Sequence, residues 1–369
     1  MTSQKFSAAG IRWQLGDLFD SSDDPRIQSM LADCHTRATA FARRYRSTIG
    51  VAGGPGSDHL LAAVRDLENI EEDLRQVATF ADLSYAADTA QQAIRDLKEE
   101  VELAATEIGN LVLFFDLEWM DLPEEVADRL LADPILAGYR HYLLHLRQFR
   151  PHRLSEPEER LLNDRDNTGR RAFRRLFTEL TTSFRFPWEG DRRTETLTMS
   201  EILALVYNKE RDIRRRAYET LFDILSKQEL VLTSVYETLL QDHLTLDRLR
   251  RFPHPMAERH LENEIDTQAV EQMMTVTEAN YTIARRYFRL KARLLGIPKL
   301  ALFDQYAPVS EALPTCSFDR ARQIILAALD GFSPSFRQIA DQFFERRWID
   351  AEVRQGKQGG AFCASPTPA

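Results

Sequence analysis

The sequence predicts an all-α protein, and three observations carry that expectation. Apolar residues recur every three or four positions through most of the 369 residues, the period of a helix with one buried face. Serine, threonine or aspartate stands ahead of several of these stretches, twice with glutamate three residues on, as helix N-termini require. The apolar–polar alternation of a half-buried strand is nearly absent.

Each element follows from these signals. Ser57 reads as an N-cap ahead of Leu61, Val64, Leu67, Ile70, Leu74 and Val77. A second stripe runs through Ile94, Leu97, Val101, Ala104, Ile108, Leu111 and Phe115. Stripes this wide need a neighbour to cover them, so the two helices are expected to pack antiparallel. Asp133-Pro134 restarts the chain into a helix with Leu143, Leu144 and Leu146 on its core side. Ser155-Glu156-Pro157-Glu158 is a capping box with an acidic first turn. The segment from Phe184 to Gly190 and the polar residues through Thr198 read as a hairpin or extended linker between two lobes.

Thr198 and Glu201 form a second capping box, and Ile213, Ala217, Leu221, Ile224 and Leu225 make the next apolar face. Asp266 is expected to cap one long helix through Val270, Met274, Ala284, Phe288 and Leu295, ended by Gly296 and Pro298. Ser317 and Ser333-Pro334 start two more, the first closed by Gly331. After Trp348 the glycines 356, 359 and 360 and the run Ala361-Phe362-Cys363 suggest a turn and a short strand.

Composition narrows the function. An apolar fraction of 43% and a charged fraction of 28% belong to a globular protein. A net charge of −9 speaks against a nucleic-acid partner, which needs a basic face. Met1 to Gly10 has no secretion-type apolar core, and the densest apolar stretch, Leu111 to Phe115, is too short for a membrane span. Cys34, Cys316 and Cys363 cannot all pair, which points to a reducing cytoplasm.

Few residues promise chemistry. His141 and His145 lie four apart on a predicted helix, a spacing able to present two rings to one metal. The zinc-peptidase form H-E-x-x-H places a general-base glutamate after the first histidine, where this chain has Tyr142, and nearby spacing supplies no third ligand. The pair therefore reads as structural. His260, Glu262 and Glu264 read as a cap-and-loop cluster ahead of Asp266. His35, His59, His152, His243 and His254 are scattered. The arginines at 170, 171, 174 and 175, at 211, 214, 215 and 216, and at 248, 250 and 251 are accompanied by acids and read as solvated, ion-paired faces. The glycines around Lys357 lack the order of a phosphate loop, and no nucleophile elbow is present.

The order of segments resembles the oligoendopeptidase F family of thimet-oligopeptidase-like zinc metallopeptidases. The resemblance is carried by Trp13 to Phe19 with Asp24-Pro25-Arg26, then by Arg153 to Glu159 with Thr168-Gly169. It continues through Pro255-Met256, Arg259-His260-Leu261, Asn263-Glu264-Ile265, Lys291 to Gly296 and Asp304 to Pro308. It ends with Trp348-Ile349-Asp350 and Gly356 to Cys363. It implies an N-terminal helical lobe over 1–190, followed over 191–369 by the first, mostly helical part of a zinc-peptidase catalytic domain, truncated before the metal-binding helix.

It further implies hydrolysis of short peptides in the complete enzyme and zinc as its cofactor. No zinc is expected on this chain and no catalytic residue is assigned in it. Gly360, Ala361 and Phe362 are the candidates for contact with an extended peptide, by pairing along a strand edge. A domain cut midway is also expected to show self-association through exposed apolar surface. The competing reading is a non-catalytic helical module that binds a peptide or a partner.

Overall fold

The structure, a computed structural model, describes residues 8–190, 194–309 and 316–364. Helices dominate it. Asp24 caps α1 (Pro25–Tyr45) by accepting from the Arg26 amide at 2.9 Å, with proline at the first helical position, where its missing N–H costs nothing. α2 (Ser57–Ala87) and α3 (Gln92–Val112) follow, and the expected stripe buries Leu61, Val64, Leu67, Ile70 and Val77 on α2 and Leu97, Val101 and Ile108 on α3. The Tyr45 hydroxyl donates to Asp66 at 2.6 Å and Arg37 pairs with Asp73, so α1 and α2 run antiparallel. A short connection then returns α3 along α2, with Lys98 reaching back to Asp82. Ser57 is not the N-cap: Gly56 holds that place, and the Ser57 hydroxyl is spent on Asp133.

α4 (Phe114–Asp121), α5 (Glu124–Leu131) and α6 (Arg140–Gln148) close the first core around Trp119, whose indole N–H donates to the Leu143 carbonyl at 2.8 Å. Asp133-Pro134 opens a 3-10 turn, Pro134–Tyr139, rather than the helix itself. Leu143 is buried there, whereas Leu144 faces out, a correction that follows from its place a quarter-turn round α6. α7 (Glu156–Thr168) starts at the predicted capping box, and α8 (Arg170–Ser183) follows the bend at Gly169. Asn110 donates to Asp164 at 2.8 Å and accepts from Asn163 at 2.9 Å, a polar seam joining α3 to α7.

The break after Phe184 is a hairpin. β1 (Phe186–Glu189) pairs antiparallel with β2 (Thr194–Leu197), Phe186 opposite Leu197. A second small core gathers Phe184 and Phe186 with Ile202 and Val206 around α9 (Met199–Leu205) and with Ala217 and Leu221 of α10 (Arg211–Lys227). α11 (Glu229–Arg250) and α12 (Ala257–Glu262) lead to α13 (Thr267–Ala279) and α14 (Tyr281–Leu294). The predicted single helix after Asp266 is therefore two, broken at Asn280, whose side-chain amide donates to the Val276 carbonyl at 2.8 Å and competes with the helical ladder. α15 (Phe318–Phe332) runs through Gly331, and α16 (Pro334–Glu345) follows from Ser333.

One contrast organises the molecule. α1 to α6 bury a dense core, while α13 and α16 bury no residue at all. Met273, Val276, Ile283, Tyr287, Leu294, Ile325, Phe332, Phe336 and Ile339 are all exposed. Helices of this length are marginal in water without a packed face. Amide hydrogen exchange measured by mass spectrometry is expected to be orders of magnitude faster in 267–294 and 318–345 than in α1 to α3.

Candidate functional site

α6 sets His141 and His145 on one face, their ring centroids 6.5 Å apart. The residue that joins them comes from the far side of the hairpin. Glu264 ends α12 in the left-handed conformation, φ 53°, while the Ile265 amide closes the helix on the His260 carbonyl at 2.9 Å. That backbone aims the Glu264 carboxylate at α6, one oxygen lying 3.2 Å from His141 Nε2 and 3.1 Å from His145 Nδ1. Of the predicted cap-and-loop cluster, His260 does serve the loop, Nδ1 lying 3.0 Å from the Thr267 hydroxyl, and Glu262 pairs with Arg259. Glu264 does more than cap.

These residues do not fit the zinc that the resemblance implies. Each ring meets the same carboxylate oxygen, and the three do not form a compact donor set. Among the described residues, the group of His, Cys, Asp and Glu side chains whose ligand atoms all lie within 4.8 Å of one another is His243, Asp247 and Glu258. Tyr142 occupies the general-base position, and burial, followed by the charges of Asp116 and Glu71, pushes its phenol pKa well above the ordinary range. It offers no base. The sequence holds no H-E-x-x-H anywhere in its 369 residues.

A cleft of about 530 Å³ lies between the first half and α11. His152, Glu159, Asp166, Arg170, Asp242, Arg250 and Glu258 line it. Arg250 donates to both oxygens of Glu159, at 2.8 and 2.6 Å, and its carbonyl lies 2.9 Å from His152 Nδ1. Arg170 and Arg171 meet Asp166 at 3.0 and 3.4 Å, and Arg175 meets Glu102. These arginines are ion-paired as the sequence predicts. Arg214 is paired too, at 2.8 Å from Asp304, but departs from the predicted solvated face in being buried: it is 2% exposed and Asp304 0%.

Residues 347–358 are drawn back onto the first lobe. The Gln14 amide donates to the Arg347 carbonyl at 2.8 Å, and the amides of Ala351 and Glu352 both donate to the Ile11 carbonyl at 3.0 Å. The Thr89 amide donates to Gly356 and the Gln358 amide to Ala86, each at 2.9 Å. Gly356 has φ +80°, and a Cβ there would meet Asp88 Oδ1 at 2.7 Å, so the turn requires glycine. Gly360, Ala361 and Phe362 lie beyond it in open, exposed backbone. The predicted short strand does not form: among the described residues no strand pairs with this run. Phe362 is 57% exposed and rests edge-on against Trp13, centroids 6.2 Å apart.

Sequence reasoning missed Asp242, His243, Asp247 and Glu258. The signal available was the four-residue spacing of His243 and Asp247 on one helix; Glu258 arrives only after the chain has turned.

Comparison with known proteins places this architecture. Two family models match in chain order, one described as Oligopeptidase F over residues 118–186 and one as Peptidase family M3 over residues 204–368. The chain is 22% identical over 316 residues to Group B oligopeptidase PepB of Streptococcus agalactiae, covering 83% of this chain and 53% of that protein. It is 20% identical over 311 residues to Oligopeptidase PepF of Bacillus subtilis, covering 83% of this chain and 46% of the relative. The chain thus spans about half the length of the curated relatives it matches. The crystal structure of oligoendopeptidase-F from Enterococcus faecium superposes with a TM-score of 0.72 at 20% identity, over 88% of this chain and 61% of that one. Mostly helical architecture, matched segments and their order agree, and the chain belongs to the oligoendopeptidase F group of peptidase family M3.

Proposed function

We propose that residues 1–190 form the N-terminal lobe and residues 191–369 the first part of the catalytic domain of a zinc-dependent oligopeptidase, and that these residues alone do not cleave peptides. One observation carries the reading: both family models match in order while no H-E-x-x-H occurs in the sequence. Zinc, when bound by a complete site, activates water and polarises the scissile carbonyl. His141 and His145 lie within 3.2 Å of one Glu264 oxygen, and Tyr142 stands where the H-E-x-x-H form has its glutamate. The exposed apolar faces of α13 to α16 support the same reading, because contiguous apolar surface of this kind marks a face that packs against further protein.

Short peptides are the substrate class of the complete enzyme in this proposal, and Gly360, Ala361 and Phe362 are the residues here that meet an extended peptide. Three free thiols among the described residues fit a cytoplasmic setting, and no helix is long and apolar enough to cross a membrane. A peptide-binding role without cleavage is favoured by the open Phe362–Trp13 pair.

The test is turnover of a quenched fluorescent peptide by the purified chain with added zinc. The expected rate equals the buffer blank, while peptide binding, read by fluorescence anisotropy, weakens when Phe362 is replaced by alanine. Turnover that disappears in a His141→Ala, His145→Ala double variant overturns the proposal.

A further inference from the structure

α11 carries His243 and Asp247 one turn apart on the same face, and Glu258 approaches them from the first turn of α12, after the bend that follows Arg251. Their ligand atoms lie within 4.8 Å of one another. Asp247 is 7% exposed, yet neither carboxylate oxygen has a hydrogen-bond partner. His243 Nε2 lies 3.4 Å from Oδ2, beyond a good hydrogen bond. The neighbouring Asp242 also has a buried oxygen without a partner. Arg250 is held by Glu159 at 2.6 Å; Arg170 is held by Asp166 at 3.0 Å, and its charge also acts on Asp242 and Glu258. A buried carboxylate with no donor costs several kcal/mol unless a cation faces it.

We propose that His243, Asp247 and Glu258 hold one divalent transition-metal ion that pins α12 to α11. Two carboxylates balance the ion's charge, and the neutral imidazole selects zinc-like ions over magnesium or calcium, which prefer oxygen alone. His243 Nε2 lies 2.8 Å from the Pro255 carbonyl, so Nε2 carries the proton in the metal-free chain. When the ion binds Nε2 the ring changes tautomer, giving that proton up to solvent and taking one at Nδ1, so the ligand stays a neutral imidazole and the hydrogen bond to Pro255 is released. Such a site is structural. It lacks the H-E-x-x-H pattern and does not depend on the proposed peptidase reading.

The experiment is titration of the EDTA-treated chain with Co²⁺, followed by visible absorption, with Zn²⁺ as competitor. The result expected is one equivalent per chain, displaced by Zn²⁺, with an unfolding midpoint that rises on binding. Asp247→Asn and His243→Ala each weaken binding by at least tenfold, whereas His141→Ala with His145→Ala leaves it unchanged. Asp247→Asn removes the unpaired buried charge, so this variant folds without metal at least as well as the parent, as circular dichroism will register. Absence of binding, binding that survives both variants, or binding lost with His141 and His145 overturns the proposal. Binding without peptide turnover leaves the peptidase reading untouched.

Discussion

Replacing Asp304 by alanine is expected to destabilise the second half of the molecule by about 3–5 kcal/mol, the scale for stripping one partner from a buried ion pair. Asp304 accepts from Arg211 Nη2 at 2.9 Å and from Arg214 Nη2 at 2.8 Å, and its own Oδ2 accepts from the Ala301 amide at 2.9 Å. Lys291 of α14 lies alongside, donating to the Gln305 carbonyl at 2.6 Å. Burial works to raise the Asp304 pKa, but the bonds from Arg211, Ala301 and Arg214 overcome it and hold the carboxyl below its ordinary value. Burial, then the Arg214 charge, lowers the Lys291 pKa. One carboxylate therefore neutralises a crowd of cations where α10, α14 and residues 301–307 meet. Without it Arg214 is left charged in a site with no solvent. The measurement is limited proteolysis with urea unfolding, in which cleavage after residue 205 accelerates while α1 to α6 stay protected. Arg214→Leu tests the same point more gently, since it removes the buried charge too, and leaves the exposed Arg211 to pair with Asp304. An Asp304→Ala variant as stable as the parent would show that the network contributes nothing.

The second large effect depends on pH. Asp116 is half-buried beside Glu71 and Tyr142, with one buried oxygen lacking any partner, and its pKa is pushed up to about 7, first by burial and then by the Glu71 charge. The unfolded chain releases this proton near pH 3.8. Between these values the folded state holds a proton the unfolded state has lost, so stability falls as pH rises through that window and levels off above it. Glu71, whose pKa is also raised by burial, adds to the same trend. Asp116→Asn keeps the shape and removes the charge. It is expected to stabilise the first lobe by ~2–4 kcal/mol at pH 8 and by little at pH 4, from about 1.4 kcal/mol per pKa unit. Urea unfolding of parent and variant across pH 4–8 checks this. A gain that does not change with pH would assign the effect to packing instead.

The helices were legible because their signals are local. The stripes on α2 and α3, the boxes at Ser155 and Thr198, and the Asp266 cap act within one or two turns, and each appears where the residues indicate. α1 carries the same kind of local signal, Asp24 ahead of Pro25 at its first turn. Local reading erred where two local forces compete. At Asn280 the apolar period continues, but the side-chain amide takes a helical carbonyl and the helix divides.

The family, and with it the fold class, was available from the residues alone, since ordered short segments survive at 20–22% identity. What needed the tertiary structure was partnership. Nothing near Arg214 in the sequence says that it is buried, because its partner Asp304 lies beyond four further helices. Nothing near His141 and His145 announces Glu264, and the spacing of His243 and Asp247 gains meaning only when Glu258 swings round beside it. A helix and its caps are made by atoms within about four residues of one another. The burial of a charge and the identity of what faces it are set by whichever distant segment the fold brings there.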